Sequence, residues 1–494
     1  MKSSDKSVRI QLERHLWPDE VIARKKRKRS RLILATLCMG TFCLGLLVGL
    51  NGLTSKNSIS SGNDSFTSSK LNSVYNLMTN NWYFSGNDEQ LVDQAIQGMT
   101  NNEIDIHTYY MSREEVEAFT NSIDMGFVGI GVQYNSADGA NLITRVFHNS
   151  PAEAAGVLPG DILYSINGVL CETLTANEIT SRVTGIEGTD VTLEFIRDNE
   201  IISMTITRAP IQNTAYGEMI KESLGYLQIY QFGSSTGSEV NGYLEMMTEQ
   251  GLRELIIDLR DDGGGYLDAL VSVSSLFLPE KTVAMKQIYA DGRVELAYTK
   301  KGNFENIEKI VILVNKDTAS AAEVLALALK EQRDDVTIIG TTTYGKGTVQ
   351  ITHMFNDGSA LKFTTSKWLS PNDVWVNGVG ITPDIELPMH DIFSVRYTAM
   401  TEEEEWNFDQ VSEKVAVAQK ALDFLEFPIT RTDGYFDKTT LQALTQFQED
   451  FNLSNQGTLD FDTFSTLIAQ VTKKLAVDPT SDVQLQKAIE VLHE

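Results

Sequence analysis

The chain has 494 residues, with 41 Lys and Arg against 67 Asp and Glu and a formal net charge of −26. That length exceeds what one hydrophobic core supports and calls for several domains, and so acidic a chain excludes a general affinity for nucleic acid. Its three cysteines, Cys38, Cys43 and Cys171, exclude a disulfide framework and a cysteine-built zinc site.

The basic charge is local. Residues 1–31 hold 11 Lys and Arg against 4 acidic residues and close on KKRKRSR, leaving 30 basic against 63 acidic residues beyond. Residues 32–50 then carry no charge, and as a helix they reach roughly 28 Å at about 1.5 Å per residue, enough to cross a bilayer. The pattern predicts a basic cytoplasmic tail (1–31), a transmembrane helix (32–53) and a polar linker (54–65). With the positive flank inside, the protein is expected in the cell membrane as a single-pass protein whose remaining residues lie outside the cytoplasm. A cleaved signal peptide is the competing reading, opposed by the length of the apolar stretch and the poor cleavage site at Gly49-Leu50-Asn51.

Residues 66–124 place apolar side chains at helical spacing, as in LNSVYNLM and EQLVDQAIQGM, with a turn at Ser85-Gly86-Asn87 between them. From Phe127 the pattern turns to strands: FVGIGVQYN, ANLITRVF, DILYSING and the pair VTLEFIRDNEIISMTITRA, with a helix near 176–184. This stretch, 125–210, resembles a PDZ domain, most clearly in SPAEAAGVLPGDILYSING. The resemblance implies that the backbone at Phe127, Val128, Gly129 and Ile130 binds a peptide's terminal carboxylate while the peptide adds as a strand. The plainer alternative is that Gly129 and Gly131 only permit a tight strand entry.

Residues 211–395 alternate continuous Val/Ile/Leu strands (LGYLQIYQF, LIIDLR, KIVILVN, VTIIG) with amphipathic helices (SEVNGYLEMMTEQ, YLDALVSVSSLFL, AAEVLALALKEQ), as in an α/β layer with a buried sheet. Residues 403–494 form an acidic helical unit. VAVAQKALDFLEF, TDGYFDKTTLQALTQFQEDFNL and GTLDFDTFSTLIAQV resemble a three-helix peptidoglycan-binding domain, with Asp433-Gly434-Tyr435-Phe436 as the turn and Thr439, Ala443, Phe447 and Gln448 on the helix. That resemblance implies cell-wall peptidoglycan as a partner; a helical bundle with a structural role alone stays open.

Three segments of the α/β layer carry chemistry. Ser320 stands where the strand KIVILVN turns into a helix, beside backbone donors, although Ser320 with Glu323 also reads as a capping box. Lys346 lies between Gly345 and Gly347, where close backbone packing would desolvate it, lower its pKa and fit it to take a hydroxyl proton near neutral pH. GKGT is not a phosphate loop, because Gly340 lies six residues before Lys346. In DLRDDGGG, three glycines ahead of a helix expose backbone amides suited to an oxyanion.

Taken in order, DLRDDGGG, TASAAEVLALAL, YGKGTVQ, DGSALKFTTSKWLSP and GVGITPDI resemble the carboxyl-terminal processing proteases, peptidase family S41. The resemblance implies Ser320 as nucleophile, Lys346 as general base, Gln350 as the residue orienting the lysine, and the amides of Gly264 and Ala321 as the oxyanion hole. It departs from the family pattern at Thr318 and Gly263 and in a Ser-to-Lys interval of 26, which the loop at 332–335 can absorb. A Ser-His-Asp arrangement through His353 is the weaker choice, since His107, His148, His353 and His390 stand in no triad-like motif.

The expected fold is multidomain α/β plus β: one N-terminal transmembrane helix, a PDZ β-sandwich-like domain inserted in an α/β, ClpP/crotonase-like serine protease core, and a C-terminal three-helix domain. The expected function is a membrane-anchored serine endopeptidase that cleaves extracytoplasmic proteins by a Ser-Lys dyad, with PDZ recognition of their C-termini. The alternatives are a catalytically silent envelope adaptor and a hydrolase of cell-wall peptides. No metal or organic cofactor is implied. The expected partners are polypeptides with accessible C-termini, peptidoglycan and the membrane through one span, with no nucleic acid; homo-oligomerisation is left open.

Overall fold

A computed structural model describes residues 65–83, 88–101, 103–135, 141–211, 213–304, 307–395, 398, 400–454 and 456–493. The basic tail, the membrane span, nearly all of the linker and the turn at 85–87 lie outside the described residues. Among the described residues no helix is long and apolar enough to cross a membrane.

Helix α1 (Ser65–Asn81) belongs to a first unit of the chain, and a second unit begins at Asn87. The second unit opens with α2 (Asp88–Thr100), strand β1 (Tyr109–Met111) and α3 (Arg113–Asp124). A reciprocal cap starts α3: Ser112 Oγ accepts the Glu115 N–H at 3.2 Å and Glu115 accepts the Ser112 N–H at 2.7 Å. Helical spacing alone did not anticipate β1, whose three residues pair with a distant strand described below.

The PDZ segment contains β2 (Phe127–Gly129), β3 (Val132–Asn135), β4 (Leu142–Val146), α4 (Pro151–Ala155), β5 (Ile162–Ile166), β6 (Val169–Leu170), α5 (Ala176–Val183), β7 (Asp190–Arg197), β8 (Glu200–Thr207) and β9 (Ala209–Ile211). Its main sheet runs β3-β4-β5-β7-β8, leaving β3 as an edge, while β2 pairs with β9 at the neck of the domain. Strand β7 alternates Val191, Leu193 and Phe195, all fully buried, with more exposed residues, so period-2 patterning builds this core.

The α/β layer follows with β10 (Ala215–Met219), β11 (Leu224–Ile229), α6 (Thr236–Glu249), β12 (Glu254–Asp258), α7 (Leu267–Phe277), β13 (Val283–Tyr289), β14 (Val294–Tyr298), β15 (Lys309–Val314), α8 (Ala321–Gln332), β16 (Val336–Gly340), β17 (Thr348–Met354), β18 (Ala360–Leu369) and β19 (Ile385–Glu386). One sheet has the order β10-β11-β12-β15-β16-β19 and is parallel except for β10. A second, antiparallel sheet runs β1-β18-β13-β14, with β17 on β18. Both faces of the first sheet are dry: Leu255, Ile257, Ile310 and Ile312 join the core under α6–α8, and Ile256, Val311 and Leu313 point the other way.

The tail supplies α9 (Glu413–Phe424), α10 (Lys438–Asp450), α11 (Phe461–Val477) and α12 (Val483–His493). The first three share one core around Leu422, Phe436, Phe447 and Phe464. Helix α12 leaves that bundle and lays Ala488 and Leu492 on Ile256, Val311 and Leu313 of the parallel sheet; each fully buried leucine-sized side chain contributes about 1.5–3 kcal/mol to such packing. The bundle also grips the PDZ segment, where Leu142 enters its core and Lys473 pairs with Asp198 at 2.6 Å.

Candidate active site

Ser320 follows β15 through a loop locked to the end of β12. Thr318 Oγ1 donates to the Leu259 carbonyl at 2.8 Å and the Ala319 N–H to the Asp262 carbonyl at 2.9 Å. Ser320 itself adopts φ 57° and ψ −118°, a left-handed conformation costly for a residue with a Cβ. The strained turn puts a hydroxyl at the head of α8, where backbone N–H groups converge.

Lys346 sits between β16 and β17, in a loop held from three sides. The Tyr344 N–H donates to the Thr318 carbonyl at 3.0 Å, and the indoles of Trp368 and Trp375 donate to the carbonyls of Lys346 and Gly347 at 2.7 and 2.9 Å. Gly345 has φ +82°, and a Cβ there would stand 2.6 Å from the Gly380 nitrogen, so the close backbone approach requires glycine. The resulting burial, helped by the neighbouring Lys362 cation, pushes the Lys346 ammonium down to about 8; the Glu323 and Asp105 carboxylates pull weakly the other way.

Glu323, fully buried on the first turn of α8, joins these two parts. Its Oε2 accepts the N–H of Ser320 and of Lys346, each at 2.9 Å, and its Oε1 accepts the Gly345 N–H at 2.8 Å and the Thr343 hydroxyl at 2.5 Å. Sequence reasoning saw only the cap in this residue. A carboxylate acceptor satisfied by four donors is a strong anchor.

The other expected site residues fall in several places. Gln350, on β17, donates from Nε2 to the hydroxyls of Thr348 and Thr364 at 3.0 Å each. Among the described residues no hydrogen bond joins Gln350 to Lys346, nor Lys346 to Ser320. Thr364 in turn takes the neighbourhood back to the chain's beginning, because its N–H donates to Thr108 Oγ1, whose hydroxyl donates to Asp105 at 2.5 Å. The pairing of Tyr109 with Lys362 in the β1–β18 ladder brings this segment in. His107 arrives with it, its imidazole pKa lowered by burial and by the Lys346 cation.

Of the two backbone donors, the Ala321 N–H makes no hydrogen bond among the described residues, whereas the Gly264 N–H donates to Asp262 Oδ1 at 2.8 Å. Gly264 nonetheless packs against the Ser320 loop, where a Cβ would stand 2.8 Å from Ser320 Cβ and from the Ala321 nitrogen. Asp262 is fully buried with Oδ2 unpartnered, and burial pushes its carboxyl well above the usual carboxylate range. His353, the alternative base, lies on the exposed half of β17 with its ring against Phe355.

In the PDZ segment, Phe127, Val128 and Gly129 form β2 and Ile130 is buried. Val128 and Ile130 turn their carbonyls inward, to the N–H groups of Gly185 and Ala152 at 3.1 and 2.8 Å. Beside them the edge strand β3 faces α5, and Tyr134 closes the gap: its hydroxyl donates to the Ala176 carbonyl at 2.9 Å and lies 2.7 Å from Thr180 Oγ1.

Residues 223–387 match peptidase family S41, residues 142–197 a PDZ domain, and residues 411–467 a peptidoglycan binding domain. The carboxy-terminal processing protease CtpA of Bacillus subtilis (strain 168) is 32% identical over 472 residues, covering 95% of this chain and 99% of the relative. The chain belongs to peptidase family S41. It is therefore a serine protease of the carboxy-terminal processing kind. Two further relatives match: the carboxy-terminal processing protease CtpB of the same Bacillus subtilis strain is 33% identical over 86% of this chain and 88% of its own. A CtpA-like serine protease of Staphylococcus saprophyticus is 30% identical over 85% of each.

Proposed function

We propose that this S41 protease is a membrane-anchored endopeptidase that cleaves polypeptides outside the cytoplasm, with Ser320 as nucleophile and Lys346 as general base. The observation that carries the reading is the Glu323 carboxylate, which binds the backbone of the serine and of the lysine on one oxygen.

Ser320 Oγ attacks the scissile carbonyl carbon as the neutral Lys346 amine takes its proton. A lysine pushed down to about 8 is neutral in a useful fraction of molecules near neutral pH. The carbonyl oxygen becomes an oxyanion received by the Ala321 N–H, joined by that of Gly264 once it turns from Asp262. Collapse breaks the C–N bond, and the Lys346 ammonium returns the proton to the leaving amine. Water, deprotonated by the same lysine, then releases the acyl group from Ser320. Gln350 supports the lysine side of the cleft through Thr364, and no step calls for a metal or organic cofactor.

The basic run and apolar segment at 25–50 support anchoring with the catalytic part outside. The PDZ segment (125–210) recognises substrate C-termini at Phe127–Ile130, the protease core spans 211–395, and the tail helices hold the enzyme to peptidoglycan. The test uses full chain purified in detergent, an unfolded protein and peptides with free apolar C-termini. The parent is expected to cut and to be labelled on Ser320 by a fluorophosphonate, while folded Ser320→Ala and Lys346→Ala are inert. Full activity in Lys346→Ala would remove the lysine from its role.

A further inference from the structure

Arg260 lies in the middle of DLRDDGGG with its guanidinium enclosed between two carboxylates. One is near in sequence: Arg260 Nη2 donates to Asp258 Oδ2 at 2.6 Å, and Nε donates to Oδ1 at 2.9 Å. The other comes from the far end of the chain. Asp482 takes Nη1 on Oδ1 at 3.0 Å and Nη2 on Oδ2 at 2.8 Å, and Gln484 Oε1 lies 3.2 Å from Nη1. The three charged side chains are only 15%, 1% and 12% exposed for Arg260, Asp258 and Asp482.

Asp482 is itself fixed. Its Oδ1 accepts the Leu485 N–H at 3.0 Å and so caps α12, while Gln484 Nε2 donates to the Leu387 carbonyl at 2.7 Å. Arg260 is flanked by the residues that shape the nucleophile loop: the Leu259 carbonyl holds Thr318, the Asp262 carbonyl holds Ala319, and Asp261 and Asn315 exchange hydrogen bonds at 3.1 and 2.8 Å. Four residues beyond Arg260 comes Gly264, packed on Ser320.

We propose that Asp482 is a positioning residue for proteolysis, acting through Arg260 on the loop that carries Gly264 and backs Ser320. Docking of α12 does not call for this pair, since Ala488 and Leu492 already bury against the sheet. A buried ion triad gains little stability over apolar packing of the same shape, yet it demands one geometry. That geometry is transmitted to the amide of Gly264 and the carbonyls behind Ser320. Without Asp482 the guanidinium keeps one carboxylate on its own strand end and only the Gln484 side-chain carbonyl, at 3.2 Å, as a tie to α12, so the loop relaxes. Displacement of reacting groups by about 1 Å costs on the order of 100-fold in rate.

The inference rests on the reading of Ser320 as nucleophile, and the experiment separates the two. Full chain and the variants Asp482→Asn, Asp482→Ala and Asp482→Glu are compared for kcat and KM on one peptide. The affinity of a peptide boronic acid, which forms a tetrahedral adduct on the serine, and fluorophosphonate labelling of Ser320 as a count of folded sites complete the set. Asp482→Asn is expected to lower kcat about 10- to 100-fold per labelled site with KM within about twofold, and to weaken the boronic acid by a similar factor. Asp482→Glu should restore part of kcat, and Glu490→Gln, at an exposed pair on the same helix, should change nothing. Loss that tracks the unlabelled fraction, a rise in KM matching the fall in kcat, or kcat within twofold of the parent would overturn the proposal. Should Asp482→Ala not fold, the Asn and Glu variants carry the test. If the parent is not labelled on Ser320, the nucleophile reading fails and takes this inference with it; if it is labelled and Asp482→Asn retains kcat, only this inference fails.

Discussion

Glu323 accepts the backbone N–H of Lys346 at 2.9 Å on the same oxygen that accepts the N–H of Ser320. Glu323→Gln replaces one charged oxygen by a donor that faces N–H groups, so at least one bond is lost and the rest weaken. We expect a stability loss of about 2–4 kcal/mol in chemical denaturation and a fall in kcat of about 100-fold. Because the carboxylate holds the Lys346 pKa up, the limb of the pH–rate profile should also move to lower pH in the residual activity.

With Lys346 as the proposed general base, the pH–rate profile follows from its titration, because the amine takes a proton only when neutral. The rate kcat/KM should rise with pH with unit slope and level off above about 8. Lys362 is one of the causes of the lowered value, so Lys362→Met should raise the Lys346 pKa and move the limb to higher pH. A limb that stays in place would show that Lys362 does not act on the titrating group.

Stability should carry the opposite mark of the same burial. The Lys346 pKa drops from an ordinary 10.5 to about 8 on folding, so the native state binds fewer protons than the unfolded chain between those values. Its penalty is complete below about pH 8 and vanishes as pH rises towards about 10.5. Lys346→Met should therefore be inactive yet more stable at pH 7 by about 1–3 kcal/mol, with the gain fading above about pH 8. Denaturation curves at pH 7 and pH 10 check both the sign and the window.

Peptide capture by the PDZ segment should be limited by Tyr134. Its hydroxyl bonds to α5 across the groove beside the edge strand β3, where an added strand would lie. Removing one such bond from the free state is worth about 1 kcal/mol, so Tyr134→Phe should bind a C-terminal peptide several-fold more tightly in fluorescence anisotropy. Unchanged affinity would place the peptide elsewhere.

Much of this arrangement is written in local patterns, and the exceptions have physical causes. The helix 321–332 and the strands of the parallel sheet are legible because burial on both faces leaves runs of Val, Ile and Leu. The strand-to-helix setting of Ser320 and the glycines flanking Lys346 are legible too, while the roles assigned to them came from the family resemblance. The second sheet is not, because β17 and β18 mix Lys, Thr, His and Gln on half-exposed faces and draw their order from non-local pairing. Glu323 hides behind its capping role, since a cap and a hub differ only in what arrives from 20 residues away. The tail holds a signal that could have been found: Gly434, Asp437 and Thr440 repeat as Gly457, Asp460 and Thr463. In each set one buried glutamine, Gln419 or Gln448, accepts the glycine N–H and donates to the threonine hydroxyl, while the aspartate caps the helix through the threonine N–H.

Helix α12 walls one side of a sheet whose first strand begins more than 250 residues earlier. A chain emerging from its N-terminus can form the PDZ segment early, as domains generally fold in the order of their synthesis. The protease layer then waits with Ile256, Val311 and Leu313 uncovered and Arg260 short of one counter-ion. A protease assembled in this way completes its sheet only once α12 has been made, which spares its own unfinished segments from premature cutting.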